Sequence, residues 1–305
     1  MAIYGSGSHA YDGATFTTMF GDEVTHVAQQ TASNLQGAVR TVRGVVGSTY
    51  KFPVMGKAGY VVNKAPGTDL DVMSSSAFGS LTATANANTA YKVAGTSPAT
   101  FETASIKSYA TGEYTDNIES LFTNVDLRSA YAESIAAAMN RAYDSVIIAA
   151  LDAAETEGSL AGDLTNIDLN RANLTNIHKL LTANSVPMND RYLVISPNGM
   201  EDLLGATDLI SGQDGPLSQA LVTGQIANVM GFNVIVSTQL SDGTTNSADK
   251  LCYAFHKNAV GMAVGKDITT EVNYVPEKLA TLISAQFSAG ATAIDNSAIV
   301  AFEVN

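Results

Sequence analysis

The feature that most constrains the fold is a long run of helix-forming residues, YAESIAAAMNRAYDSVIIAALDAA, at positions 131–154. The run contains no Gly or Pro, and Asp126 is a suitable N-cap, so the sequence predicts one helix from about Asp126 to Ala154. Such a helix would be about 40 Å long, whereas an average helix has about three turns. A chain that contains it must provide an equally long surface for it to pack on.

The two sides of this helix are predicted to differ along its length. The predicted buried side follows steps of three and four residues and consists of Tyr131, Ile135, Ala138, Ala142, Val146, Ala149 and Ala153. The opposite side begins with Glu133, Asn140 and Asp144 and continues with Ile147, Ile148 and Leu151. We therefore expect the first half to be solvated on one side, and the second half, beyond Asp144, to be covered on all sides.

The segments around the helix have distinct characters. Residues 1–15 are rich in Gly and Ser, which predicts an arm without its own core; a short helix follows with Phe16, Phe20, Val24 and Val27 on one face. Residues 59–98 alternate small polar and apolar residues, which predicts a two-stranded ribbon that must lie on another surface. Further segments are a predicted strand at 101–115, an α/β alternation at 166–270 and two strands within 278–304.

Composition and charge favour self-association over nucleic-acid binding. Of 305 residues, 29 are acidic and 16 basic, for a formal net charge of −13, and Lys and Arg form no long run. Because affinity for a phosphate backbone depends mainly on cations, the sequence does not predict a nucleic-acid-binding groove. Only 15% of residues are charged, fewer than monomers usually carry. We interpret the shortage as surface hidden by self-association; an unusually Thr- and Ser-rich monomer is the alternative.

No group of residues indicates catalysis, a cofactor or a metal site. The four histidines are scattered, Cys252 lies in an apolar run, and no phosphate-binding loop or nucleophile elbow is present. Asp152 and Glu155 form the best carboxylate pair, but at a helix end they lack the pocket that acid/base chemistry needs. The sequence predicts a protein that is not an enzyme. It also predicts folding in a reducing cytoplasm without a membrane partner, since neither a leader nor a membrane-spanning stretch is evident.

The order of these segments resembles the major capsid protein of tailed double-stranded-DNA phages, which has the Hong Kong 97-type fold. The likeness covers nearly the whole chain and is carried by GSTYKFPVMGKAG before the ribbon, by YAESIAAAMNRAYDSVIIAAL as the spine helix, and by RYLVISPNGMEDLLGA and GQIANVMGFNVIVSTQL in the α/β lobe. It implies an α+β, Hong Kong 97-like capsid fold. The implied parts are an N-terminal arm with a short helix (1–50), an extended β-hairpin loop (51–100), a peripheral domain with the spine helix (101–165), an α/β axial domain (166–270) and C-terminal strands that return to the peripheral domain (271–305).

The resemblance also implies partners and a location. Copies would form pentamers and hexamers of an icosahedral shell that encloses double-stranded DNA in the virion, after assembly in the host cytoplasm. The extended loop and the arm would make contacts between capsomers. A separate scaffolding protein, a portal and a cement protein are further candidate partners.

The residues expected to matter for structure and assembly lie in three regions. They are Tyr131, Ile135, Val146, Ile147, Ile148 and Leu151 in the spine helix, Pro53 and Phe78 in the loop region, and Gly231 in the axial domain. Catalytic, cofactor and metal residues are not predicted. An encapsulin-like nanocompartment shell is the alternative with the same fold. A cytosolic α/β enzyme with its site in residues 166–270, or a tail-tube or surface-layer protein, is a less favoured alternative.

Overall fold

The computed structural model describes residues 30–54, 100–116, 127–156, 167–206, 226, 228–243 and 249–304. Helices and strands both contribute, so the predicted α+β class is confirmed. The α-helices are α1 (Leu127–Thr156), α2 (Arg171–Ala183) and α3 (Pro197–Gly205). The strands are β1 (Arg40–Arg43), β2 (Thr49–Val54), β3 (Thr100–Ser105), β4 (Lys107–Asp116), β5 (Arg191–Ile195), β6 (Asn228–Val229), β7 (Phe232–Val236), β8 (Lys250–His256), β9 (Val260–Val275), β10 (Ala280–Ala293) and β11 (Ile299–Val304).

Helix α1 packs along a four-stranded sheet with the order β1, β9, β10, β4. The helix has 30 residues, which gives a length of about 45 Å, and the central strands β9 and β10 have 16 and 14 residues. The ring of Tyr143 stacks on Phe287 with centroids 4.3 Å apart, and Phe287 stacks on Tyr109 at 4.9 Å. The long strands therefore supply the surface that so long a helix requires.

The side of α1 that faces the sheet differs from the predicted one. The large buried side chains include a row with a spacing of four residues, which consists of Ile135, Met139, Tyr143, Ile147 and Leu151. Of these, only Ile135 was in the predicted stripe. In the predicted stripe, Val146 is also buried, but Tyr131, Ala149 and Ala153 are exposed and the remaining alanines are half-buried. The prediction was wrong because alanines fit either side of the helix. The larger side chains remove more apolar surface from water, so they decide which side faces the core.

The second half of α1 is also not covered on all sides by the described chain. Ile147 and Leu151 are fully buried and Ile148 is 3% exposed, yet Ala149 and Ala153 remain exposed. Asp144 was predicted to face solvent, but it is only 1% exposed. This prediction was wrong because residues 30–39 pack on the Asp144 side of the helix, a contact that no local sequence pattern announces.

A five-stranded sheet with the order β11, β8, β5, β7, β6 forms the second layer of the fold. Strands β5 and β7 are parallel, and the other pairs are antiparallel. Helix α2 begins at Asn170, whose side chain accepts a hydrogen bond from the Asn173 N–H. Helix α3 begins at Ser196, which caps the Gly199 N–H and is followed by Pro197 at the first helical position. Both caps follow the standard rules for helix starts.

The C-terminal strands do not both return to the sheet under α1. Strand β11 pairs with β8 in the five-stranded sheet, from Ile299 opposite Phe255 to Val304 opposite Lys250. The predicted boundary at residue 270 also falls within β9, which belongs to the four-stranded sheet. The physical reason is that β9 follows β8 after a three-residue 3-10 helix, Lys257–Ala259, and one hydrophobic core spans both sheets. The chain therefore passes from the five-stranded sheet to the four-stranded sheet without a linker that the sequence could reveal.

Strands β2 and β3 form a two-stranded antiparallel ribbon that bounds residues 55–99. Thr49 pairs with Ser105 at one end, and Val54 pairs with Thr100 at the other. The predicted single strand at 101–115 is instead two strands in different sheets, divided at Ile106, whose N–H donates to the Ser48 carbonyl at 2.8 Å. The sequence has no Gly or Pro at this division, so the break depends on tertiary contacts.

Candidate functional site

The candidate functional features are surfaces and anchoring contacts. Within the described ranges, no group of three or more His, Cys, Asp or Glu side chains is placed to hold a metal ion. The helices of those ranges also include none that is long and apolar enough to cross a membrane. The candidate features are the contact of Asp144 with residues 30–35, the base of the β2–β3 ribbon, and a groove beside α1.

The carboxylate of Asp144 holds the first described residues of the chain against α1. It accepts hydrogen bonds from Gln30 Nε2 and Ser33 Oγ, each at 2.6 Å, and from the backbone N–H groups of Asn34 and Leu35, each at 3.1 Å. Charge-assisted bonds of this kind are stronger than neutral ones. Four donors around one buried carboxylate compensate for removing its charge from water, so the contact fixes where residues 30–35 lie.

Neighbouring side chains of α1 extend this contact by one turn. Asn140 Nδ2 donates to the Thr31 carbonyl at 2.7 Å, and an Arg141 Nη donates to the Gln30 carbonyl at 3.4 Å. Leu35 and Val39 then enter the hydrophobic core. These contacts fix residues 30–39 along the Arg141 and Asp144 side of the helix.

The base of the ribbon is fixed by one aromatic side chain and two close backbone approaches. Phe52 is fully buried, and a Cβ added at Gly261 would lie 2.8 Å from its ring. A Cβ at Gly290 would lie 2.1 Å from the Ser105 carbonyl oxygen, a distance that real Cβ atoms do not reach. Strand β3 can thus approach β10 only because residue 290 has no side chain. Residues 55–99 consequently start and end at a firmly seated pair of strands.

A groove of about 480 Å³ runs between β3, the second half of α1 and the end of β10. Its helix wall consists of small apolar side chains, and its strand wall includes Phe101, which is 62% exposed. Glu102 and Lys107 also line it. The residues that form the helix wall are Val146, Ala149, Ala150, Ala153 and Ala154. The groove thus has an apolar helix wall that faces a strand wall with polar and charged side chains.

The residues predicted to matter for assembly lie in different places. Val146 lines the groove, whereas Ile135, Ile147, Ile148 and Leu151 belong to the core. Tyr131 is 37% exposed near the start of α1. Pro53 is exposed in β2 opposite Phe101. Phe78 lies outside the described residues, and Gly231 is in the five-stranded sheet's outer hairpin.

Gly231 occupies a hairpin turn between β6 and β7. Val229 pairs with Phe232, so the turn has two residues, Met230 and Gly231, with φ of 49° and 84°. Two positive φ values define the turn type that best matches the twist of a hairpin, and Gly adopts such values at little cost. Gly231 therefore shapes one edge of the five-stranded sheet.

The buried ionisable groups have environments that suit structure rather than chemistry. Burial raises the pKa of the Cys252 thiol to about 12 and that of Tyr143 to about 12. The guanidinium of Arg191, a 1% exposed residue, donates to the carbonyls of Val186 and Pro187 and to Thr182 Oγ1. An inert thiol and a fully engaged guanidinium hold the fold together and are not placed to react.

Sequence reasoning missed Asp144 and Gly290. One available signal for Asp144 was its position between Tyr143 and Val146. An acidic residue among apolar residues that are buried needs hydrogen-bond donors around its carboxylate. Gly290 gave no such signal, because the Ser105 carbonyl that lies against it is 185 residues away in the sequence.

Comparison with solved structures shows which proteins share this fold. The capsid structure of the cyanophage P-SCSP1u matches with a TM-score of 0.69 and 16% identity, over 96% of this chain and 94% of that chain. Mycobacterium phage Che8 matches with a TM-score of 0.60 and 16% identity, over 94% and 97% of the two chains. A virus-like particle from Pyrococcus furiosus matches with a TM-score of 0.56 and 14% identity, over 89% and 92%. The chain therefore has the Hong Kong 97-type fold of these shells.

Sequence comparison gives the family. No curated protein matches the chain by sequence, but the model of a family described as phage capsid protein matches residues 13–305. The chain belongs to this phage capsid protein family. It is thus a structural component of a virion capsid, and the family is not one of enzymes.

Proposed function

We propose that copies of this chain assemble into pentamers and hexamers that close into an icosahedral head enclosing double-stranded DNA. The observation that carries the proposal is the family match over residues 13–305, on a fold shared with phage capsids. A family match over nearly the whole chain fits the principal shell subunit better than an accessory protein. The role is that of a major capsid protein.

The described structure supports specific tasks for its parts. Residues 55–99 begin and end at the fixed ribbon, which suits a loop that reaches a neighbouring subunit. The four-stranded sheet with α1 suits a peripheral domain, and the five-stranded sheet suits an axial domain at the capsomer centre. Because β11 lies in the five-stranded sheet, we assign the last strand to the axial domain.

The charge of the chain is consistent with a DNA container. A net charge of −13 makes nonspecific binding of phosphate backbones unfavourable. Packed DNA would then be enclosed without being held by the wall. A separate scaffolding protein and a portal complete the proposed assembly, with a cement protein as a further candidate.

A shell that encloses a protein cargo is the second candidate, supported by the similarity to the virus-like particle from Pyrococcus furiosus. It has less support, because the family match is to phage capsid proteins. The content of isolated particles distinguishes the two candidates. DNA-filled, tailed particles support the head, and tail-less particles filled with one enzyme support the compartment.

Expression followed by electron microscopy tests the proposed assembly. The full chain, produced with and without the neighbouring genes, is expected to form closed shells in at least one condition. Sedimentation as a monomer or dimer in every condition would overturn the proposal.

A deletion tests the proposed role of the loop. Removal of residues 60–95 should leave a folded subunit whose Tm equals that of the complete chain. This subunit should no longer close shells. Normal shells from this variant would contradict the assignment of residues 51–100 as an assembly loop.

A further inference from the structure

We propose that an extended segment of a second copy of this chain adds a strand to the four-stranded sheet, in the groove along Gly290–Ala293 of β10. The choice of a second copy rests on the proposed capsid function. Strand β4 begins at Lys107, opposite Ala289. Strand β10 continues past this point and pairs with β9 as far as Ala293, opposite Val260. In the described part of the chain, Gly290–Ala293 thus has a neighbouring strand on one side only, and we call the place on its other side the open slot.

The open slot lies between two layers that already exist. Helix α1 packs on one face of the four-stranded sheet, and its Ala149 and Ala153 line the groove. The ribbon covers the other face, where the Ser105 carbonyl lies against Gly290. A strand that enters the slot is therefore covered on both faces, and the alanines limit its side chains on the helix face to small ones.

The backbone of β10 presents hydrogen-bonding groups to the slot. The Ile294 N–H donates to the Ala259 carbonyl at 2.6 Å and extends the register in which Ala293 is opposite Val260. Because bonded and non-bonded pairs alternate along antiparallel strands, the N–H and C=O groups of Ala291 and Ala293 point away from β9. Outside the sheet ladder, no backbone hydrogen bond between described residues reaches these groups. An added strand would pair them.

The other side of β9 shows the same alternation. The Val45 N–H donates to the Val264 carbonyl at 3.1 Å, so the backbone groups of Val264 point towards β1. The groups of the neighbouring Ala263, and of Gly261 two residues before it, then point towards β10. Two separate hydrogen bonds therefore lead to the same assignment of the groups that face the slot.

Two other free strand edges carry features that discourage pairing, and the slot edge does not. Pro53 has no N–H to offer at the outer edge of β2. Strand β9 has register shifts opposite Gln286–Ala289, beside the charged residues Lys266 and Asp267. Natural sheets use Pro, bulges and charges of this kind to prevent unwanted pairing. Gly290–Ala293 has none of them, so this edge is open to an incoming strand.

The occupant is assigned to another chain because the nearest segment of the same chain is already engaged. Residues Thr100–Ser105 precede β4 and could have continued it along β10, but they pair with Thr49–Val54. The charged residues that line the groove are one acid, Glu102, and one base, Lys107. The groove is thus neutral in a chain of net charge −13. A second copy, with only 15% charged residues, can supply an uncharged strand without repulsion.

Cross-linking between isotopically distinct copies identifies the occupant. A diazirine analogue of lysine, similar in size, replaces Lys107, and assemblies are formed from equal amounts of isotope-labelled and unlabelled full-length subunits. After irradiation, we expect mass spectrometry to find mixed cross-links, which join a labelled chain to an unlabelled one. Cross-links within single chains only, cross-links to a different protein, or no cross-links would overturn the proposal.

A proline substitution tests the backbone pairing. Ala291→Pro removes an N–H that faces the slot but leaves the β9–β10 ladder intact, so the Tm should change little. The mixed cross-links should fall about tenfold, as expected for the loss of one hydrogen bond in a close contact. Thr292→Pro removes an N–H that bonds to β9 and should lower the Tm strongly. Unchanged mixed cross-links for Ala291→Pro, or equal Tm values for the two variants, would contradict the pairing.

A second variant leaves the backbone unchanged. Ala149→Leu fills the slot from the helix side and should reduce the mixed cross-links several-fold. Ser145→Leu, which is exposed one turn earlier on α1 and outside the groove lining, should not. Equal cross-linking in these two variants would also count against the added strand.

Electron microscopy scores the shells separately. Shells without mixed cross-links overturn the strand addition and leave the capsid proposal intact. If no shells form, the capsid proposal fails, and concentrated subunits are then cross-linked in the same way. Mixed cross-links in that sample support the added strand, and their absence overturns it.

Discussion

The carboxylate of Asp144 accepts the backbone N–H of Leu35 at 3.1 Å and so joins the middle of α1 to a residue 109 positions earlier. Leu35 itself is fully buried in the core. The contact offsets the cost of burying the carboxylate, and it fixes the position of residues 30–35 on α1. A residue expected on a solvated surface is thus one of the main anchors of the fold.

Replacing Asp144 by Ala should destabilise the subunit strongly. Four donors would lose their acceptor, and we expect the free energy of unfolding to fall by about 3 kcal/mol. Chemical denaturation of the unassembled subunit measures the change. Ser145→Ala, on an exposed position of the same helix, is the control and should change stability by less than about 0.5 kcal/mol. Similar values for the two variants would contradict the anchoring role.

Gly290→Ala should displace the ribbon. The new methyl group would meet the Ser105 carbonyl oxygen at 2.1 Å, so β3 or β10 must move, at a cost of about 1–3 kcal/mol. Thermal unfolding and electron microscopy of shells are the measurements, and we expect a lower Tm together with defective closure. Gly37→Ala, where a Cβ meets nothing within 4 Å, should leave both unchanged. A Gly290 variant as stable as the Gly37 variant would argue against the close approach.

Ile148→Asp should be severely damaging. Ile148 is 3% exposed within the core, so the substitution buries an unpaired charge and removes apolar contacts; we expect at least about 4 kcal/mol or failure to fold. The yield of soluble subunit and urea denaturation report the effect. Ser145→Asp introduces the same charge on the exposed side of the same helix and should remain soluble and folded. If both variants behave alike, the covered side of the helix has been placed incorrectly.

His256 should make subunit stability decrease as pH falls. Burial lowers the pKa of its imidazole, with a further lowering by Arg191 that Asp190 and Asp295 oppose. The unfolded state therefore binds a proton at higher pH than the folded state does, so stability present above about pH 6.5 is lost as pH falls below that value. Urea denaturation at pH 8.0 and 5.5 should show a smaller decrease for His256→Asn, which keeps an acceptor for the Asn258 N–H. An equal decrease in both proteins would assign the pH dependence to other groups.

Cys252 should be unreactive until the subunit unfolds. The residue is fully buried, and burial raises its thiol pKa to about 12, so the nucleophilic thiolate is scarce at neutral pH. Alkylation by iodoacetamide, followed by mass spectrometry, should be negligible in buffer and complete in 6 M guanidinium. Rapid labelling of the native subunit would show that this part of the five-stranded sheet opens readily.

The sequence by itself determined the existence and length of α1, the α+β class and the resemblance to capsid proteins. These depend on local rules, since propensity, capping and the order of segments act over short stretches of chain. Only the tertiary structure decided which side of α1 is buried, that Asp144 lies inside, that residues 101–115 split at Ile106, and that β11 joins the five-stranded sheet. Each of these depends on partners more than 40 residues away, where a helix rich in alanine or a strand without Gly or Pro is compatible with several arrangements. Packing of the larger side chains and the hydrogen bonding of buried groups select one of them.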